Sequence, residues 1–393
     1  MSDFSNDLND EPLQEGEIPF SAAPARLTVD LGAIVSNWKT MRTLSGSART
    51  AAVVKADGYG LGIEDVGEAL YGAGAADFFV AVPDEGATLR RFAPDARIFV
   101  LSGMWPGTEE LFFEHDLVPV LASTEQLSFF FAAVAEYGDY PCALQVDTGF
   151  NRLGLTVEEA LALAGDVSRP ASFEPVLILS HLACADDPAS PMNKKQLEWF
   201  RIAASAFEGV EASLSASAGI FLGPDYHFDL TRPGIALYGG DSQPGTARKL
   251  RPAARAEARI VQIRNARAGE TVSYGATCRL SRDSRLAIAA AGYADGYHRS
   301  LSGSGAPLRD AVSPGGFGFA AGHKVPIAGR ITMDMTIYDV TDVPEEAIRV
   351  GDYIELIGPN LPLDEAATAS GTIGYELLTA LGLRYRRRYT QPD

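Results

Sequence analysis

The sequence holds a lysine, a carboxylate, two arginines, an imidazole and a hydroxyl, each placed at or just beyond the end of an apolar run. Lys55 follows Ala51-Ala52-Val53-Val54. Asp147 closes 142–147 with Arg152 shortly after it, His181 closes 175–181, Ser217 closes 212–217, and Arg232 and Gly234 lie in 232–237. A lysine leaving an apolar strand is partly desolvated, which disfavours its ammonium form. A neutral amine is what Schiff-base formation with a carbonyl requires. Gly58, Gly60 and Gly62, just beyond, let backbone approach a ligand closely. Taken singly, each residue also has an ordinary reading. Lys55 can snorkel from a strand end, the glycines can make a plain turn, His181 can be a satisfied core histidine, and Arg232 can serve a salt bridge.

These side chains meet only if the runs that carry them lie side by side. The runs 51–55, 78–82, 97–101, 117–121, 142–147, 175–181, 212–217 and 232–237 are continuous and apolar, as expected of parallel strands covered on both faces. Helical periodicity fills 64–74, 84–92, 123–137, 156–166 and 192–208. Eight such repeats predict a (β/α)8, TIM-like barrel over 25–250, with the chemistry at the C-terminal ends of its strands. From 251 to 393 the texture becomes β-rich: 256–264, 270–274, 285–293, 335–340 and 352–358 are separated by turn residues and followed by one helix near 365–380. The fold class is α/β, a barrel followed by a mostly β C-terminal domain. Residues 1–24 read as an acidic, disordered extension, and the Gly/Ser/Pro-rich 301–323 as a mobile surface loop.

A formal net charge of −18 argues against nucleic acid or an anionic membrane as partner. The basic run 384–388 is short and mixed with aromatics, and reads as a solvated or subunit-facing edge. Cys142, Cys184 and Cys278 form no CxxC pair, which suits a reducing compartment. The five histidines show no HxxxH or HExxH spacing, so no metal site is expected. A secretory pattern is lacking at the N-terminus, and no apolar run approaches the ~20 residues of a membrane span. A cytoplasmic location is expected.

Eight strings then point one way: VKADGYG at 54–60, VDTGFNRLG at 146–154, SHLACAD at 180–186, RPGIALYG at 232–239, SYGAT at 273–277, GYADG at 292–296, GRITMD at 329–334 and TIGYE at 372–376. In this order and spacing the chain resembles the alanine racemases, over about residues 26–390. The resemblance implies a pyridoxal 5'-phosphate (PLP) enzyme that interconverts L- and D-alanine, with Lys55 carrying the cofactor. Lys55 and Tyr274 would be the two acid/base groups. Removing a proton from one face of Cα and returning one to the other is awkward for a single fixed base. By itself Tyr274 would read as an aromatic packed in a sheet.

The same resemblance places Arg232 at the pyridine nitrogen, oriented by His181. An arginine stays protonated, so it donates a hydrogen bond without protonating the ring. Tyr59, Ser217, Tyr375 and the amides of Gly234 and Ile235 would hold the phosphate. Arg152 and the Met333 amide would bind the substrate carboxylate. Tyr293, Asp186, Arg299, Arg330 and Ile373 would line the access corridor. A head-to-tail homodimer with shared sites is also implied. Two positions depart from the pattern. Gln145 stands where many relatives have a carbamylated lysine, and Ala216 precedes Ser217 where an asparagine is common.

Three rivals share the fold. A non-catalytic PLP-binding protein would lack the second domain, and a related decarboxylase would carry a cysteine-bearing loop motif that is not seen here. A serine or broad-specificity racemase stays open.

Overall fold

Apolar runs buried on both faces suit a parallel sheet, and seven of them pair in chain order. Ala52–Val53, Asp77–Val80, Arg97–Val100, Leu117–Leu121, Cys142–Asp147, Pro175–Leu179 and Glu211–Ser213 form one parallel sheet. Leu230–Thr231 pairs in parallel with Arg49–Thr50 on one side. On its other side the amides of Asp229 and Arg232 reach the carbonyls of Ala212 and Ser215, so the sheet closes. Phe78, Phe79, Val80, Ile98, Phe99 and Val100 have no exposed surface, because one face fills the barrel and the other meets helices. This computed structural model describes residues 18–166, 169, 170, 173, 175–303 and 315–391.

Ile63–Gly72, Pro83–Arg90, Glu109–Glu114, Thr124–Tyr137, Val157–Gly165 and Pro191–Ser205 are the helices between strands. Their starts follow local chemistry. Ser123 accepts from the Gln126 amide, Thr156 and Glu159 form a capping box, and prolines open the helices at 83 and 191. The last expected strand, 232–237, is shifted. Pro233 has no N–H to continue a ladder, so the strand is Leu230–Thr231 and Ile235–Tyr238 is a 3-10 turn. A helix not anticipated, Leu31–Leu44, covers that turn. Its Asn37 amide donates to the carbonyls of Leu237 and Arg251, and its Trp38 donates to Thr50.

The strand starts are strapped by charge. Arg97 donates to Asp77 at 2.7 Å and to Glu211 at 2.9 Å, and Arg49 donates to Glu211 at 2.6 Å. Asp77 is 3% exposed. This network sits at the end opposite the expected chemistry, where barrels invest in stability.

The chain divides into two units, and the boundary differs from the expected one at residue 25. Leu31–Ala253 form the barrel unit, whereas residues 18–30 join the unit that begins at Ala254. The cause is pairing. Ala25–Asp30 lies antiparallel to Ala254–Ala266 and parallel to Arg386–Thr390. Its alternating burial marks one buried face. Ala254–Ala266 also pairs with Ser284–Ala289 and Tyr353–Ile357. The basic run ends in the sheet's edge strand, and Arg384 pairs with Asp295 and Asp334.

Most of the expected extension lies outside the described residues. Its last part is ordered: Phe20–Ala22 is a 3-10 turn, with Phe20 7% exposed and Arg388 over its ring. Of the expected loop, 304–314 lies outside the described residues, and Phe317–Ala320 pairs with His323–Pro326 as a hairpin. The single expected helix is two, Leu363–Ser370 and Gly374–Thr379, broken where Gly371 takes φ 72°.

Candidate active site

In the barrel unit, Lys55 leaves its strand into a left-handed turn. Ala56, Asp57, Gly58 and Tyr59 all have φ between 55° and 60°. Left-handed backbone costs a non-glycine residue about 1–2 kcal/mol, so three such residues store a few kcal/mol beside the lysine. The turn is held by Gly58 N–H to Val54, Leu61 N–H to Gly58 and Gly62 N–H to Asp57. Glu85 also accepts from the Ala56 amide at 2.6 Å. Burial lowers the Lys55 pKa, and Arg152 and Arg232 lower it further against an opposing pull from Glu85. The neutral amine is therefore easier to reach than for an exposed lysine.

Arg232 is buried and held by two acceptors, the Ser213 hydroxyl and, at 2.7 Å, the Ser180 carbonyl. His181 was expected to orient it; the bonds that fix Arg232 come from these serines. Burial brings Arg232 down to about 10, which leaves it charged at neutral pH. The His181 pKa is pushed down to about 3, first by burial and then by Arg232, Arg152 and Lys55. Its imidazole is neutral, with Phe150 edge-on at 5.5 Å. Arg152 is exposed and lies 4.2 Å from the centre of the Phe150 ring. Gln145 donates to the Leu153 carbonyl at 2.8 Å, beside Arg152. Asp147 spends its carboxylate on the amides of Gly149 and Phe150, so it shapes the loop that carries Arg152.

Ser217, Gly234 and Tyr59 converge. Ser217 Oγ accepts from Gly234 N–H at 2.9 Å and Ala236 N–H at 3.3 Å. A Cβ at Gly234 would lie 2.2 Å from the Tyr59 hydroxyl, so any side chain there would have to push Tyr59 aside. Tyr59 stacks on Tyr238 at 4.5 Å. Ile235 is buried in the turn that follows, and Asp186 lies exposed in the loop after His181. The carboxylates of Asp147 and Glu85 face backbone amides, while Lys55, Arg152 and Arg232 cluster as cations. Such a donor set suits a ligand with a carbonyl and anionic groups.

The other expected residues belong to the second unit. Tyr274 is 70% exposed on a turn where Ser273 donates to the Arg330 carbonyl. The Arg330 guanidinium lies alongside Gly275. Tyr293 and Ala294 donate their amides to Thr332 and Met333, and Met333 is 54% exposed. Arg299 accepts at its carbonyl from Ser302, which in turn accepts from the Ile331 amide. Ile373 and Tyr375 begin the helix Gly374–Thr379, both with exposed side chains.

Reading the residues missed Ser180, Ser213 and Glu85. Glu85 carried a signal: it stands just past a barrel strand, as the other site residues do.

The "Alanine racemase, N-terminal domain" family matches residues 29–242, and the "Alanine racemase, C-terminal domain" family matches 253–389. A relative named "Alanine racemase, biosynthetic" from Agrobacterium fabrum is 69% identical over 374 residues, 95% of this chain and 96% of its own length. An alanine racemase of Rhizobium meliloti is 61% identical over 94% of this chain and 98% of its own. The crystal structure of alanine racemase from Bartonella henselae with covalently bound pyridoxal phosphate superposes with a TM-score of 0.85. It is 37% identical, over 94% of this chain and all of that one. A closed parallel barrel with a strand-end lysine, followed by a β-rich unit bearing an exposed tyrosine, and both domain families matched in order, place the chain in the alanine racemase family.

Proposed function

We propose that this protein interconverts L-alanine and D-alanine, with pyridoxal 5'-phosphate carried on Lys55. The observation that carries this assignment is a half-buried lysine of lowered pKa among cations, beside a glycine crowded by the Tyr59 hydroxyl. Ser217, Tyr59, Tyr375 and the amides of Gly234 and Ile235 would hold the phosphate, and Arg232 would donate to the pyridine nitrogen. Bound there, the cofactor would draw electrons from the amino acid and acidify its Cα–H.

Lys55 Nζ takes or returns the proton on one face of Cα, and the Tyr274 hydroxyl serves the other. Arg152 and the Met333 amide bind the substrate carboxylate. Asp186, Tyr293, Arg299, Arg330 and Ile373 shape the approach. In a single chain Tyr274 and Met333 are largely exposed, which supports a head-to-tail homodimer in which they complete a partner's site. The likeness to a relative named biosynthetic supports a supply role, which we place in the cytoplasm. Among the described residues no helix is long and apolar enough to cross a membrane.

Incubation of each alanine enantiomer with the PLP-loaded protein in deuterium oxide tests the reaction. Deuterium is expected at Cα in both enantiomers, and a loaded enzyme that exchanges neither overturns the proposal. For the dimer, Lys55→Ala and Tyr274→Phe chains are mixed after subunit exchange. Random pairing of C2 dimers restores about a quarter of the parental sites; no recovery would refute sharing.

A further inference from the structure

We propose that Glu85 is a positioning residue whose carboxylate clamps the left-handed turn after Lys55 to the end of the neighbouring strand, and so sets where the Lys55 amine points. The assignment rests on the reading of Lys55 as the cofactor lysine.

The turn's internal bonds begin with Gly58 N–H to Val54, so the amides at its start need another acceptor. Glu85 Oε1 accepts from Ala56 at 2.6 Å, with Asp57 farther off at 3.4 Å. Glu85 Oε2 accepts from Ala81 at 2.8 Å, just past the strand Asp77–Val80. One carboxylate therefore joins the turn carrying Lys55 to the adjacent barrel strand, with charge-assisted bonds on both oxygens.

Neither conservative replacement does both jobs. Glutamine offers one acceptor and one N–H2 group, which would face an N–H. Aspartate keeps the charge but lacks the length to span both strands. Ala56 and Asp57 are not glycine, so without the clamp their backbone favours right-handed geometry. The carboxylate also opposes the cations around Lys55, so position and charge are delivered by the same group.

The test uses the full-length PLP-loaded protein as parent, Glu85→Gln, Glu85→Asp and Glu85→Gln with Ala56→Gly. In Glu85→Gln, amide exchange over 54–62 should rise about tenfold or more, as expected for loss of a charged hydrogen bond. The pH midpoint of the bound cofactor's absorbance should fall, and kcat should drop with KM for alanine little changed. Glu85→Asp should raise exchange while holding the midpoint, which separates reach from charge. It also decides the matter if Glu85→Gln does not fold. Ala56→Gly should restore part of the protection, because glycine accepts the left-handed turn without strain. A folded Glu85→Gln protein that melts lower but keeps parental exchange at 54–62, midpoint and kcat overturns the proposal. A parent that binds PLP without exchanging alanine refutes the racemase assignment, yet leaves the exchange and absorbance tests readable.

Discussion

Gly234→Ala is the sharpest small perturbation of this site. The added Cβ would lie 2.2 Å from the Tyr59 hydroxyl and 3.0 Å from its ring carbon, against an ordinary separation of about 3.5 Å. About 1.3 Å of movement is thus required, and the ring has little room to supply it. Tyr59 is 6% exposed, stacked on Tyr238, and set on left-handed backbone. Tyr238 in turn is anchored to the Val53 carbonyl. The strain therefore falls on the segment whose amides at 234 and 236 meet Ser217. Overpacking of this kind costs about 1–3 kcal/mol, which for a unit of this size lowers Tm by roughly 2–12 °C. The dissociation constant for PLP should rise about tenfold or more, since one tenfold step takes only about 1.4 kcal/mol. Thermal melts with and without PLP, and fluorescence titration of the apoprotein, measure both. Tyr59→Phe removes the closest contact, so the double variant should be less impaired than the two single changes summed. A Gly234→Ala protein with parental Tm and PLP affinity would refute this account of the cradle.

His181 predicts an acid limb. It is neutral when folded, with a pKa near 3, whereas the unfolded chain takes up its proton below about 6.5. The folded state therefore loses stability as pH falls from about 6.5 toward 3, by up to roughly 3–5 kcal/mol. His181→Gln should flatten that slope in urea midpoints, and an unchanged slope rejects the assignment. At the barrel floor, Asp77→Asn should cost about 1–3 kcal/mol: a buried partner is lost, but Arg49 and Arg97 are solvent-screened. Alanine turnover per folded molecule should hold, and a loss of kcat at parental stability would contradict a purely structural role. Gln145→Leu removes the donor to Leu153 and should raise KM for alanine severalfold by loosening the Arg152 loop, with kcat changing less; an unchanged KM would sink that link.

Much of the architecture was legible because its causes are local. Parallel strands buried on both faces must be apolar throughout, so six of the eight expected runs sit within a residue or two of the observed strands. Strand-end logic then picked out Lys55, His181, Ser217 and Arg232, because a barrel offers its strand ends as one mouth. Other features depended on partners far along the chain. Ala25–Asp30 was assigned to the barrel because nothing in its alternation says that its neighbours are Ala254–Ala266 and Arg386–Thr390. Asp147 read as one of the groups converging on the mouth, whereas its carboxylate is taken up by the amides of its own loop. The glycines after Lys55 suggested close backbone approach or a plain turn, whereas the turn is left-handed through Ala56, Asp57 and Tyr59 as well. Composition can place a reactive lysine at the end of a strand. Only the tertiary fold, by bringing Glu85 to the amides of Ala56 and Ala81, decides the backbone that aims it, because strain of that kind persists only where distant groups hold it.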